Sequence, residues 1–96
     1  MADTLSDEET AARLEETPGW SLVDGKLHRE LEFQNFVEAF GFMAMVALIA
    51  EGQGHHPDWS NSWNKVVIDI VNHAAGGITD ACFKLADSIN NALGEG

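Results

Sequence analysis

From Asn35 to Ala50 the chain reads Asn-Phe-Val-Glu-Ala-Phe-Gly-Phe-Met-Ala-Met-Val-Ala-Leu-Ile-Ala, with Glu38 its only charge. Phe36, Phe40, Met43, Ala47 and Ala50 fall on one stripe at helical spacing, while Val37, Phe42, Val46 and Ile49 lie elsewhere on the wheel. A helix that is apolar nearly all round must be covered on more than one face. In a chain of 96 residues one sheet covers one face, so the sequence predicts that the other meets a second subunit. The most apolar part, Ala39 to Ala50, is about 12 residues with Gly41 inside it, short of the roughly 20 that span a bilayer. No membrane partner is expected.

The flanking segments have different periods. Ser6-Asp7-Glu8-Glu9 has the capping-box pattern, with Ser6 as N-cap and Glu9 reaching back to its amide. Ala11, Ala12 and Leu14 continue that short helix, and Pro18-Gly19 ends it. Asp24-Gly25 suits a two-residue type I′ turn between Trp20–Val23 and Lys26–Phe33. In the second of these segments Leu27, Leu31 and Phe33 alternate with His28, Glu30 and Glu32, the period of a half-buried strand. Arg29 falls on the apolar side, as an edge or ligand-facing residue.

Gly52 and Gly54 are expected to break the long helix. Asp58–Ser62 and Trp63–Asn72 read as two further strands, the latter with Val66, Ile68 and Ile70 alternating. Thr79 is a candidate N-cap, and Cys82, Leu85, Ala86, Ile89 and Leu93 mark an amphipathic last helix. The order α-β-β-α-β-β-α predicts an α+β fold, a four-stranded antiparallel sheet with helices on one face. The whole chain, residues 1–96, is expected to form one domain. A domain of this size buries only about 60–65% of its unfolded surface, so oligomerisation would add useful burial.

Composition removes several functional classes. At 45% hydrophobic the chain is too apolar for general disorder. Its 16 acidic and 5 basic residues give a net charge of −11, which repels phosphate backbones and anionic lipids. Direct nucleic-acid binding is therefore not expected. Cys82 is the only cysteine, so no internal disulfide can form. The start, Met1-Ala2-Asp3-Thr4, has neither a basic segment nor an apolar run, and a cytoplasmic address is expected.

Polar chemistry concentrates in Glu51, His55, His56, Asp58, Trp59, Trp63 and His73. Histidine's reference pKa of about 6.5 lets it donate or accept a proton near neutrality. Pro57 holds His56 extended and stiffens the turn that presents the pair. Each residue also has an ordinary structural use: a hydrogen-bonded turn for the histidine pair, core packing for Trp59 and Trp63, a tolerated surface glutamate for Glu51. His55, His56, His73 and Glu51 or Asp58 have the ligand chemistry of zinc or iron. Adjacent histidines do not easily point at one ion, however, and no His-x-x-x-His or Cys-x-x-Cys spacing is present. No metal is expected. Cys82 lies on the apolar stripe of the last helix, where a nucleophilic thiolate is disfavoured.

Taken together, Glu51-Gly-Gln-Gly-His55-His56-Pro57-Asp58-Trp59, then Trp63, Val67, His73 and Gly77-Ile78-Thr79, resemble the signature of the pterin-4a-carbinolamine dehydratases in order and spacing. The likeness extends over nearly the whole chain. It implies dehydration of 4a-hydroxytetrahydropterin to quinonoid dihydropterin in tetrahydrobiopterin recycling, with no metal or organic cofactor. By resemblance His55 and His73 are the acid–base pair and His56 binds and orients the pterin. Glu51 would position the first histidine, Pro57 would shape the turn and Trp59 would wall the site. The resemblance also implies a homodimer or homotetramer. Some relatives on this fold serve as assembly or dimerisation factors for another protein, which is the alternative function. One departure stands out: the family usually has Ser/Thr-x-x-Asp at the start of the last helix, and here Cys82 takes the aspartate's place.

Overall fold

A computed structural model describes residues 3–95. Helix α1 (Asp7–Glu15) is followed by strands β1 (Ser21–Val23) and β2 (Lys26–Glu32). Helix α2 (Phe36–Gln53), strands β3 (Asp58–Ser62) and β4 (Lys65–Ile70), and helix α3 (Asp80–Ala92) complete the chain. The strands form one four-stranded antiparallel sheet, as predicted, and their order in it is β1-β2-β4-β3.

Local chemistry accounts for most boundaries. The Ser6 amide donates to Glu9 Oε1 (2.9 Å) and the Glu9 amide to Ser6 Oγ (3.1 Å), the reciprocal cap expected for α1. The Ser6 amide, and after it the Ser6 hydroxyl, hold the Glu9 carboxyl below its usual range. Asp24 and Gly25 take φ of 51° and 77°, as a type I′ turn requires. Asn35 Oδ1 caps α2 by accepting from the Glu38 amide (2.9 Å).

The β2–β4 register pairs Leu27 with Ile70, Arg29 with Ile68 and Leu31 with Val66. Strand alternation sends Leu27, Val66, Ile68 and Ile70 to the helix-covered face, where all four are buried against Phe42 and Val46 of α2 and Phe83, Leu85 and Ile89 of α3. Each such side chain contributes roughly 1.5–3 kcal/mol by leaving water.

Four expectations need correcting. Arg29 is neither an edge nor a ligand-facing residue: it is buried on the core face. There it donates to Asn90 Oδ1 (2.6 Å), the Pro18 carbonyl (3.2 Å) and Glu95 Oε2 (2.8 Å). Trp20 Nε1 donates to the same Asn90 oxygen (2.8 Å), so a buried cation is matched by fixed acceptors. Gly19 is needed at the end of this network, since a Cβ there would sit 2.4 Å from the Arg29 guanidinium carbon.

The core-facing stripe of α2 is Ala39, Phe42, Val46 and Ala50, whereas Phe36, Phe40 and Ala47 are exposed. Periodicity does not distinguish faces when all are apolar, and the small Ala39 and Ala50 let the helix approach its neighbours. The helix also runs on to Gln53, through Gly52, and only Gly54 ends it. At that length it is apolar enough by composition to cross a membrane, although in this fold it is packed on the sheet and α3. Finally, Trp63 lies outside the strands, in the β3–β4 turn with φ of 51°.

The sheet face away from the helices carries an ion-paired row. His28 Nδ1 lies 2.7 Å from Asp69 Oδ1 and its Nε2 2.8 Å from Glu30 Oε2. Two carboxylate acceptors require both ring nitrogens to carry protons, and the bonds to Glu30 and then Asp69 raise the His28 pKa. Because the folded pKa is raised, this contribution is complete below the unfolded value of about 6.5 and is lost as pH rises through the folded value. Denaturant titrations should therefore show wild type exceeding His28→Gln by about 0.5–1 kcal/mol near pH 6. The gap should close toward pH 9, and a pH-independent gap would contradict the paired imidazolium.

Candidate active site

Two short connections bring the three histidines of the motif together. The first follows α2. Gly54 takes the left-handed conformation (φ 64°), and the amides of Gly54 and His55 return to the carbonyls of Glu51 and Ala50 at 3.1 Å each. This reverses the chain, and Pro57 then leads it extended into β3. The second connection runs from Val71 to Thr79. Asn72 closes it on itself: its amide donates to the Gly77 carbonyl (2.9 Å), its carbonyl accepts from Gly76 (2.8 Å) and its Oδ1 from Ala75 (2.9 Å). His73 projects from this closed loop.

The two connections border one open cleft of about 360 Å³, lined by His55, His56, Pro57, Asp58 and His73, with Gln53, Val71, Asn72 and Ala81 completing its walls. Its size lies in the range of small-molecule sites. Each of the three imidazoles is tethered through Nε2 to a different acceptor. His55 Nε2 meets the Val71 carbonyl (3.2 Å), His56 Nε2 meets Glu51 Oε1 (2.8 Å) and His73 Nε2 meets Asp58 Oδ2 (2.9 Å). A carbonyl only accepts, so neutral His55 carries its proton on Nε2 and a lone pair on Nδ1. That Nδ1 is buried without a partner among the described residues. Gln53 is held by α3 through Nε2 to Ser88 Oγ (2.8 Å), and its buried Oε1 is likewise unmet. Unmet buried acceptors cost about 1–3 kcal/mol each, a penalty that a ligand donor would relieve.

The motif residues are therefore gathered, with two changes of role. Glu51 pairs with His56, not with the first histidine, because the left-handed turn swings His55 toward Val71. Trp59 is not a wall of the cleft. It stands opposite Ile68 on the core face of the sheet and is half-buried against the core, since strand alternation puts Asp58 and Trp59 on opposite faces. Among the described residues, no three metal-ligating side chains converge as a metal ion would need.

Sequence reasoning overlooked Gln53 and Lys26 and considered Asp58 only as a metal ligand. Lys26 Nζ approaches Asp58 Oδ2 at 3.5 Å, a contact that depends on strand order and has no local signature. At the neighbouring helix start, the Thr79 amide donates to Cys82 Sγ (3.5 Å) and Thr79 Oγ1 lies 3.6 Å from the same sulfur. Cys82 thus stands where a capping-box carboxylate would, fully buried and outside the cleft.

The family model described as pterin 4 alpha carbinolamine dehydratase matches residues 3–92. The chain belongs to this family. A Solibacter usitatus relative named "Putative pterin-4-alpha-carbinolamine dehydratase" is 47% identical over 90 residues, covering 94% of this chain and 95% of the relative. A Rhodospirillum rubrum protein of the same name is 44% identical over 96 residues, covering 98% of this chain and all of the relative. In three dimensions the chain resembles a Brucella melitensis protein whose crystal structure is described as "transcriptional coactivator/pterin dehydratase". The TM-score is 0.89 at 37% identity, covering 94% of this chain and 98% of that one. The chain thus shares its fold with a solved protein described in part as a pterin dehydratase.

The two glycines before the histidine pair should respond in opposite directions. At neither would an added methyl carbon have a neighbouring atom within 4 Å, so only backbone preference differs. Gly52→Ala, inside the helix, should raise stability by about 0.5–1 kcal/mol. Gly54→Ala, at φ 64°, should lower it by about 1 kcal/mol. Thermal or urea denaturation measures both, and equal signs would refute the cap.

Proposed function

We propose that this protein is a 4a-hydroxytetrahydropterin dehydratase acting in tetrahydrobiopterin recycling. The observation that carries the reading is the convergence of His55, His56 and His73, from two separate connections, on one cleft sized for a small molecule. In the substrate the hydroxyl leaves C4a as a proton is lost from the adjacent ring nitrogen. The C–O bond breaks, a C=N bond forms, and water and quinonoid dihydropterin are the products. The departing oxygen needs a proton and the nitrogen must surrender one, work for groups titrating near neutrality. His55 and His73 are the proposed acid–base pair. His56, held by Glu51, orients the pterin, and Pro57 fixes the turn that presents it. The proposed reaction uses no metal or organic cofactor.

The same proposal includes a homodimer or homotetramer in the cytoplasm. Val37 and Leu48 are each 78% exposed on α2, beside Phe36, Phe40 and Met45. Five large apolar side chains on one helix make a patch that a soluble surface rarely leaves uncovered. A second reading, assembly of another protein through this face, draws on the same patch and on the paired description of the Brucella protein. Neither nucleic acid nor membrane has a place in the proposal, given the charge of −11.

Purified protein should accelerate dehydration of freshly generated 4a-hydroxytetrahydropterin, and His55→Ala and His73→Ala should each lose on the order of 10²-fold in rate. Absence of acceleration across about pH 6 to 8.5 would eliminate the enzymatic reading and leave the assembly role. Light scattering should give a mass above the 10.4 kDa chain at micromolar concentration, and Val37→Glu with Leu48→Glu should reduce it to monomer. A monomeric wild type would count against self-association through α2.

A further inference from the structure

We propose that Asp58 is a positioning residue for His73, holding its ring as the Nε2–H tautomer so that Nδ1 is the nitrogen offered to substrate. This deepens the dehydratase reading and, for its kinetic consequence, rests on it.

Asp58 opens β3, directly opposite Asp69 of β4. Like charges facing across an antiparallel pair are unfavourable, by roughly 0.2–1 kcal/mol. The structure surrounds the two carboxylates with hydrogen-bond donors: His28 is bonded to Asp69, while Lys26 and His73 both meet a single oxygen of Asp58. Asp58 is thus compensated from β2 on one side and from the 71–79 connection on the other. Its partner His73 is 68% exposed and is held by no other hydrogen bond among the described residues, so Asp58 supplies the one polar restraint on that ring there.

Imidazole has two tautomers, and the bond made by one nitrogen selects which nitrogen is free. A carboxylate accepting from Nε2–H leaves Nδ1 as the sole site for proton exchange with a bound molecule, the part played by aspartate in hydrolytic triads. Asp58 also lines the cleft beside His73, so both ends of the dyad are at the site and no intervening element is needed.

The test uses two readouts on the full chain. Nitrogen-15 NMR of the histidine rings should show His73 as the Nε2–H tautomer when neutral. Asp58→Ala should give a mixture of both tautomers, and Asp58→Glu, whose carboxylate can only accept, should preserve the wild-type form. In dehydration kinetics Asp58→Ala should lower kcat roughly tenfold with KM within about twofold, and Asp58→Glu, which keeps the carboxylate, should fall between it and wild type. An unchanged His73 tautomer in Asp58→Ala would overturn the proposal. So would a raised KM with kcat intact, which would make Asp58 a substrate-binding group instead. If wild type proves inactive, the dehydratase reading fails alone, because the tautomer measurement still decides the role of Asp58.

Discussion

The register between β2 and β4 is the constraint on which the rest of the molecule depends. These two central strands are not consecutive in sequence, and each carries its own hairpin partner to an edge of the sheet. Side chains alternate with period two, so a slip of one residue would exchange the two faces throughout. The observed register puts Leu27, Val66, Ile68 and Ile70 under the helices and leaves His28 and Asp69 on the open face. Through the β3–β4 pairing it also fixes Asp58 beside Asp69. Apolar burial selects the register, and the charged row on the other side follows from it. The cleft thereby acquires an acidic group whose position is set by the hydrophobic core.

Onto this sheet, two compact backbone devices attach the histidines. One is a left-handed glycine after a helix; the other is an asparagine that satisfies a loop with its own backbone and side chain. Neither depends on a long mobile segment. Their common result is that all three imidazoles are bound through Nε2, to three chemically different acceptors. The tethering leaves Nδ1 as the ring nitrogen without a hydrogen bond in every case, among the described residues. It also separates the histidines by environment: His56 and His73 are largely exposed and paired with carboxylates, whereas His55 leans on a carbonyl with its free nitrogen buried.

Whether a feature can be read from the sequence depends on whether its cause is local. The Ser6–Glu9 cap, the Asp24-Gly25 turn and the alternation of Val66, Ile68 and Ile70 are written in neighbouring residues, and the structure has all three. The apolar helix is equally clear, but the face it turns to the core is not, because a pattern apolar on all sides contains no preferred direction. Arg29 cannot be placed without Asn90 and Glu95, more than sixty positions away. The same holds within the cleft. The histidine motif marks a segment that borders the cleft, while the resemblance pairs Glu51 with His55 and the reversal at Gly54 brings it to His56 instead. Trp59 is the opposite case: strand alternation alone sends it to the core once Asp58 is assigned to the open face.

Cys82 occupies a cap position outside the cleft. Its sulfur accepts from the Thr79 amide and touches the Thr79 hydroxyl, so the first turn of α3 is closed by a neutral and weaker acceptor. A carboxylate in a fully buried position would bring a desolvation cost that a thiol avoids. Ala81, one residue earlier, forms part of the cleft wall, and its place is set by how that turn begins. Position 82 therefore bears on the placement of the wall through the cap, whose reciprocal geometry is present. No carboxylate at position 82 is needed to account for the anchoring of His73, since Asp58 already bonds its ring from β3.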